Sequence, residues 1–210
     1  MIPEKIGPEL MPRKPAVVIV TPVLNDWDSF NALAKDIAIQ PALTAYDISI
    51  VAVDDGSTDI APMSAQELPR RINQLIVLEL NANQGHQRAI ALGLAHVHSH
   101  MNADIDIVME SDGEDKASDI GDLLKRAKSK PGTLIVAERA KRSESPVFRL
   151  GYGIYKSTFR TLTGKPISFG NFSLIPAERL PNLLFNAGIW NNFAATMLRS
   201  RLPLEFVPTH

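Results

Sequence analysis

A chain of 210 residues and 23.0 kDa holds one domain with room for a substantial core, and its 45% hydrophobic and 21% charged residues exclude global disorder. The near balance of 22 Lys+Arg against 23 Asp+Glu, a net charge of -1, excludes a general nucleic-acid coat, which needs a basic excess. The absence of Cys excludes a disulfide scaffold, a thiolate nucleophile and a Cys-ligated zinc or iron–sulfur centre, and suits a reducing cytosol.

Met1–Pro15, with Pro3, Pro8, Pro12 and Pro15 and no apolar central run, reads as an extended lead-in rather than a signal peptide. Ala16–Thr21 is a continuous apolar, β-branched run ending at Pro22, the pattern of a strand buried on both faces. The spacing over Asp28–Ile39 predicts a helix with Phe30, Leu33, Ala34 and Ile37 on one face and Asp28 as N-cap. Asp47–Val53 predicts a second buried strand, ending at Asp54, and Leu75–Leu80 a third, ending at Asn81. His86–His98 predicts a helix with Ile90, Leu94 and Val97 facing inward. Ile105–Met109 predicts a fourth strand ending at Glu110, Asp119–Lys128 a helix, and Thr133–Ala137 a fifth strand ending in Glu138-Arg139. Beyond this the pattern changes. Val147–Leu162 reads as an amphipathic helix carrying Phe148, Tyr152, Tyr155 and Phe159, broken by Thr163-Gly164-Lys165-Pro166. It suits core packing first, and a membrane or partner contact second. Phe169–Ile175 predicts a strand, Ala177–Asn186 and Trp190–Arg201 helices, and Leu204–Val207 a short strand. No run reaches the roughly 18 apolar residues of a membrane span.

Strand and helix alternate through residues 16–140, the mark of βα units on a mainly parallel sheet, whose ligands bind outside the strand C-termini. Polar clusters fall at those ends. Thr21-Pro22-Val23-Leu24-Asn25-Asp26 follows the first strand; taken alone, a capped turn is the readier explanation. Asp54-Asp55-Gly56-Ser57-Thr58-Asp59 follows the second, and its adjacent carboxylates repel unless something donates to them, a base or ribose hydroxyl among the candidates. Asn83-Gln84-Gly85-His86-Gln87-Arg88 opens a helix whose free N–H groups and Arg88 favour an anion. Glu110-Ser111-Asp112-Gly113-Glu114-Asp115 crowds carboxylates after the fourth strand, a set suited to Mg²⁺ or Mn²⁺ shared with substrate phosphates, or in the plainer reading to an acidic helix start. Neither G-x-G-x-x-G nor a P-loop is present. His96 and His100 share a helix face at i,i+4 and suit a solvated helix end better than a metal, and Lys125-Arg126-Ala127-Lys128 suits a helix C-terminus.

In this order, the clusters at Thr21–Asp26, Asp54–Asp59, Asn83–His86 and Glu110–Asp112 resemble the motifs of family-two glycosyltransferases of the GT-A fold, over a span from Ala16 to the C-terminus. Gly85-His86-Gln87-Arg88-Ala89-Ile90 and Ser168-Phe169-Gly170-Asn171-Phe172 are most similar to the branch of polyisoprenyl-phosphate hexose synthases. The resemblance implies a GT-A-like α/β domain over residues 16–210: a nucleotide-sugar-binding half (16–140) with a mainly parallel, Rossmann-like sheet, and a mixed acceptor-side half (141–210). Relatives commonly continue into a basic glycine-containing loop and membrane helices, so the second half reads as truncated.

The implied reaction is inverting transfer of a hexose from a nucleotide diphosphate sugar, UDP-linked by preference, to a sugar or lipid-phosphate acceptor such as a polyprenyl phosphate. The implied cofactor is Mg²⁺ or Mn²⁺, and the implied place is the cytoplasm, at the cytoplasmic membrane face if the contact is peripheral. By resemblance Pro22, Leu24, Asn25, Asp26, Asp54, Asp55, Gly85, Arg88 and Ser111 bind the nucleotide sugar, with Asp26 one methylene shorter than the family's usual Glu. Glu110-Ser111-Asp112 matches the family's Asp-x-Asp with Glu in first place. Asp112 is then the leading metal ligand, Glu110 its partner, and Glu114 a further candidate where relatives often carry Gln. Arg139 matches an Arg near the donor phosphates, and Arg142 could serve similarly. Asn171 and Trp190-Asn191-Asn192 fall on the acceptor side or serve structure alone. A non-catalytic nucleotide-sugar-binding or scaffolding domain is the alternative; a sugar nucleotidyltransferase lacks its Gly-rich loop after the first strand.

Overall fold

The β-branched runs form the centre of a sheet, as a computed structural model describing residues 13–59, 68–139 and 169–209 shows. Most of the lead-in, the expected aromatic helix Val147–Leu162 with its break, Arg142 and Ser168 lie outside the described residues. Strands β1 (Ala16–Val23), β2 (Asp47–Asp54), β3 (Ile72–Glu79), β4 (Ile105–Val108), β5 (Leu134–Arg139), β6 (Ser173–Pro176) and β7 (Leu204–Thr209) lie in the order β3-β2-β1-β4-β6-β5-β7. The first four are mutually parallel, β6 runs antiparallel to β4 and β5, and β7 is parallel to β5. This is the expected GT-A-like architecture, a largely parallel mixed sheet with helices on both faces.

Side chains alternate across the sheet and build one core on each face. Val17, Ile19 and Ile107 pack with α1 (Trp27–Ala38) and α3 (Ile120–Ser129) through Phe30 and Leu123. Val18, Val20 and Val53 pack with α2 (His86–His100), α4 (Leu180–Leu184) and α5 (Phe193–Arg199) through Ile90, Leu183 and Phe193. Helix α2 rides very close to the sheet at Gly93: a Cβ there would lie 2.5 Å from Val20 Cγ1 and 2.7 Å from Val53 Cγ2.

Several boundaries differ from expectation for local reasons. Helix α1 begins one residue early, so Asp26 takes the N-cap position and Asp28 the first turn, where its charge still suits the helix dipole. The last predicted helix shortens because Asn192 caps it, accepting from Ala195 N at 2.8 Å, while Ala187–Trp190 forms a separate 3-10 turn in which the Asn186 side chain accepts from Gly188 N. The helix expected over Ala177–Asn186 splits into a 3-10 turn (Ala177–Arg179) and α4. Phe169–Phe172 leads into β6 rather than belonging to it, with Phe169 and Phe172 buried.

The register sets the functional edge. Val23 lies opposite Asp54, and Val20 opposite Val108, so the loops leaving β1, β2 and β4 emerge side by side.

Candidate active site

The loops leaving β1, β2 and β3 are bound together by their own side chains. Asn25 adopts a left-handed backbone (φ 51°), tolerable for Asn, and its Oδ1 accepts from Thr58 N at 2.8 Å while its own N–H donates to Ser57 Oγ at 2.9 Å. Asp54 Oδ1 accepts from Ser57 N at 2.8 Å. Asp55, 3% exposed, accepts from Gln84 N at 2.7 Å on Oδ1 and from Gly85 N at 3.0 Å on Oδ2. The adjacent carboxylates are thus each supplied with backbone N–H donors, the compensation their proximity requires. Gly56 is obligatory at this junction: its φ is +81°, and a Cβ would fall 2.8 Å from Asn83 N.

The β4 loop docks on the first. Ser111 Oγ donates to Pro22 O at 3.2 Å, and the buried Asp115 carboxylate accepts from Glu110 N at 2.8 Å. Asp112 is exposed, with Oδ1 accepting from Glu114 N at 2.9 Å. A cleft of about 400 Å³ opens here, lined by Pro22, Leu24, Asp26, His86, Glu110, Ser111, Asp112, Glu114, Gly170 and Asn171.

His86 enters this cleft as the first residue of α2, after Gly85 turns the chain with φ 89°. Its Nε2 lies 2.9 Å from Glu110 Oε1, and the Asn171 amide donates to the same oxygen at 2.9 Å. The hydrogen bond to Glu110 raises the His86 pKa above the usual imidazole value; partial burial opposes this, and the charges of Glu110, Asp112 and Asp55 reinforce it. A raised folded value makes the pair's contribution full below the unfolded pKa of about 6.5 and lost as pH rises through the raised one. Gln87 extends the network, its Nε2 3.4 Å from Asn171 Oδ1 and its Oε1 accepting from Phe193 N at 2.7 Å at the start of α5.

The structure therefore gathers Pro22, Leu24, Asp26, Glu110, Ser111, Asp112 and Glu114 into one cleft. Asn25, Asp54, Asp55 and Gly85 lie behind it, in the bonds that hold the loops. Arg88 lies elsewhere. Two residues along a helix rotate a side chain by about 200°, and Arg88 lines a separate cleft of about 560 Å³ with Leu80, Leu92 and Trp190. Arg139 ends β5, which β6 separates from β4. His86 and Gln87 received no role from sequence; the signal was the Gly85-His86 step, which sets the first helical side chain over the rim.

Among the described residues no three His, Asp or Glu side chains form a metal cage. The donor set still fits a hard divalent cation shared with a diphosphate. The hydrogen bonds described above engage one oxygen each of Asp112 and Glu110, and both residues line the same cleft. Mg²⁺ commonly takes one or two carboxylates plus substrate phosphates and water.

The model of the family described as "Glycosyl transferase family 2" matches residues 18–190. An undecaprenyl-phosphate 4-deoxy-4-formamido-L-arabinose transferase of Edwardsiella ictaluri is 27% identical over 153 residues, 72% of this chain and 46% of that protein. A dodecaprenyl-phosphate galacturonate synthase of Rhizobium johnstonii is 27% identical over 109 residues, 51% of this chain and 32% of that protein. The matches thus cover less than half the length of these relatives. The crystal structure of S. aureus TarS 1-349 in complex with UDP shares the fold at a TM-score of 0.61 and 14% identity, over 92% of this chain and 60% of that one. With its motifs in order along one rim and the family model spanning most of its length, this chain belongs to glycosyl transferase family 2.

Proposed function

We propose that the domain transfers a sugar, with inversion at the anomeric carbon, from a UDP-sugar to a polyprenyl phosphate, in the manner of polyisoprenyl-phosphate hexose synthases. The observation that carries this reading is the meeting of Asp112 and Glu110 with Pro22, Leu24 and Asp26 in one cleft at the strand C-termini. The names of the relatives, both polyprenyl-phosphate enzymes, favour the lipid acceptor, and the UDP complex of the TarS fold favours the base.

In this reading Pro22 and Leu24 wall the base, and Asp26 accepts from ribose hydroxyls. Asp54, Asp55, Asn25, Gly85 and Ser111 hold those walls in place through the bonds described above. Asp112 would hold Mg²⁺ or Mn²⁺, with Glu110 and Glu114 as further candidate ligands, and Arg139, at the end of β5, is assigned to the donor phosphates by the family resemblance alone. When bound, the ion offsets the diphosphate charge that this acidic rim would otherwise repel and stabilises the leaving group. His86 and Asn171 both bond Glu110 Oε1 and fix that carboxylate on the cleft. An ionised phosphate acceptor needs no general base. Its oxygen bonds to the anomeric carbon on the face opposite the diphosphate while the old carbon–oxygen bond breaks, and that electron pair leaves with UDP. Such an acceptor places the work at a membrane surface; among the described residues no helix is long and apolar enough to cross one. A second reading, donor binding without turnover, is favoured by the engagement of Glu110 Oε1 with both His86 and Asn171.

Incubating the full-length protein with labelled UDP-sugars, Mn²⁺ and undecaprenyl phosphate tests the proposal. A lipid-linked sugar is expected, with a loss of about 10²–10³-fold for Asp112→Ala. Donor binding without product would favour the second reading, and no donor binding would defeat both.

A further inference from the structure

On the face carrying α2, α4 and α5, two aromatic side chains project outward from one short turn. Phe185, at the end of α4, is 85% exposed, and Trp190, closing the following 3-10 turn, is 40% exposed. Solvent is a costly place for a phenyl ring, and neighbouring exposed aromatics mark an interaction surface. The surrounding sequence is selective in charge. From Arg179 to Leu204 the chain has no Asp or Glu and carries Arg179, Arg199 and Arg201, although the whole chain is net -1. Arg179 is turned away, donating to Gly132 O at 3.1 Å. Across the 560 Å³ cleft from Trp190 stands Arg88, the one ionisable side chain among the described residues of a wall otherwise built by Leu80, Leu92, Trp190 and small or amide residues. The turn is also tied to the active rim. Directly after Trp190, Asn192 caps α5, and Phe193 N donates to Gln87 Oε1, one residue from His86.

We propose that the Phe185–Trp190 turn, with Arg88 beside it, is a membrane-surface contact that seats on anionic phospholipid. Exposed aromatics on a stretch free of Asp and Glu, with the Arg88 guanidinium on the cleft that Trp190 lines, match the headgroup region: the rings enter the acyl boundary while Arg meets lipid phosphate. A two-residue aromatic tip is small for a stable protein interface, and the acid-free stretch complements a negative surface. The inference rests on the proposed function for its purpose, since a lipid-borne acceptor must be met at a bilayer, but its test is independent of sugar transfer.

Trp27 is buried at 5% exposure and Trp190 is the other of the two tryptophans, so Trp190 reports directly on contact. The protein is mixed with vesicles of phosphatidylcholine, alone or with phosphatidylglycerol, with and without brominated acyl chains, and separately with inorganic phosphate. UDP titration of each variant runs in parallel. Expected are a blue shift and bromine quenching of Trp190 with anionic vesicles only, and roughly tenfold weaker sedimentation with them for Phe185→Ser, the loss of one ring's burial. Phe185→Ser should bind UDP as the parent does, so failure here is separable from failure of the active-site reading. The proposal is overturned by unquenched Trp190 emission, by vesicle binding indifferent to Phe185→Ser, by an equal response to inorganic phosphate alone, or by vesicle-independent self-association that Phe185→Ser abolishes.

Discussion

At Asp106 the central sheet encloses a carboxyl group with neither oxygen hydrogen-bonded, on a strand flanked by Val18 and Ile175. It shares the face of Val108, in the apolar layer under α2. Burial alone pushes its pKa up to about 7. The sign follows. The group folds neutral at no ionic cost below its unfolded value near 3.8, and stability is lost as pH climbs from there through about 7, beyond which the loss is complete. Asp106→Asn should therefore flatten that decline, gaining roughly 1–3 kcal/mol over the parent at pH 8 and almost nothing at pH 3; urea melts at the two values measure it. An unchanged slope would show that another group carries it. At this scale the sequence exposed chemistry but not company. Glu110 and Asp112 stood out as carboxylates at a strand end. That Glu110 would be held by His86 and Asn171 is a matter of three distant segments meeting, which no local pattern encodes. Arg88 illustrates a related point: its charge was visible, while its side of α2, on the separate cleft, depended on where that helix docks.

Elements were legible where one force dominates. The strands β1 and β2 carry continuous apolar runs, Ala16–Val20 and Ile50–Val53, because both faces are covered, and α1 shows its stripe because only one face is. Legibility falls in the last third, where Asn186 and Asn192 stop and start turns through side-chain bonds that compete with helix propensity. Gly93 illustrates a constraint hidden in a good helix: Ala is the better helix former, yet its Cβ would press into Val20 and Val53. Gly93→Ala should cost about 1–3 kcal/mol of unfolding free energy in urea, as overpacking does. A stabilised variant would mean that α2 can lift from the sheet without penalty.

Across the molecule, the strand order brings the ends of β1, β2 and β4 together, which alternation of elements predicted, while the antiparallel β6 needed the fold itself to be seen. The consequence is a division of labour along the rim. Buried Asp55 and exposed Asn25 fasten the loops, and exposed Asp112 faces the cleft they frame. Calorimetric titration of UDP into the protein with Mn²⁺, repeated with chelator and with Asp112→Asn, tests this most directly. Saturable binding that weakens by about tenfold or more, both without the ion and in the variant, is the expected result. Affinity unchanged by chelator and by Asp112→Asn, in a folded protein, would contradict a cation shared between Asp112 and the diphosphate.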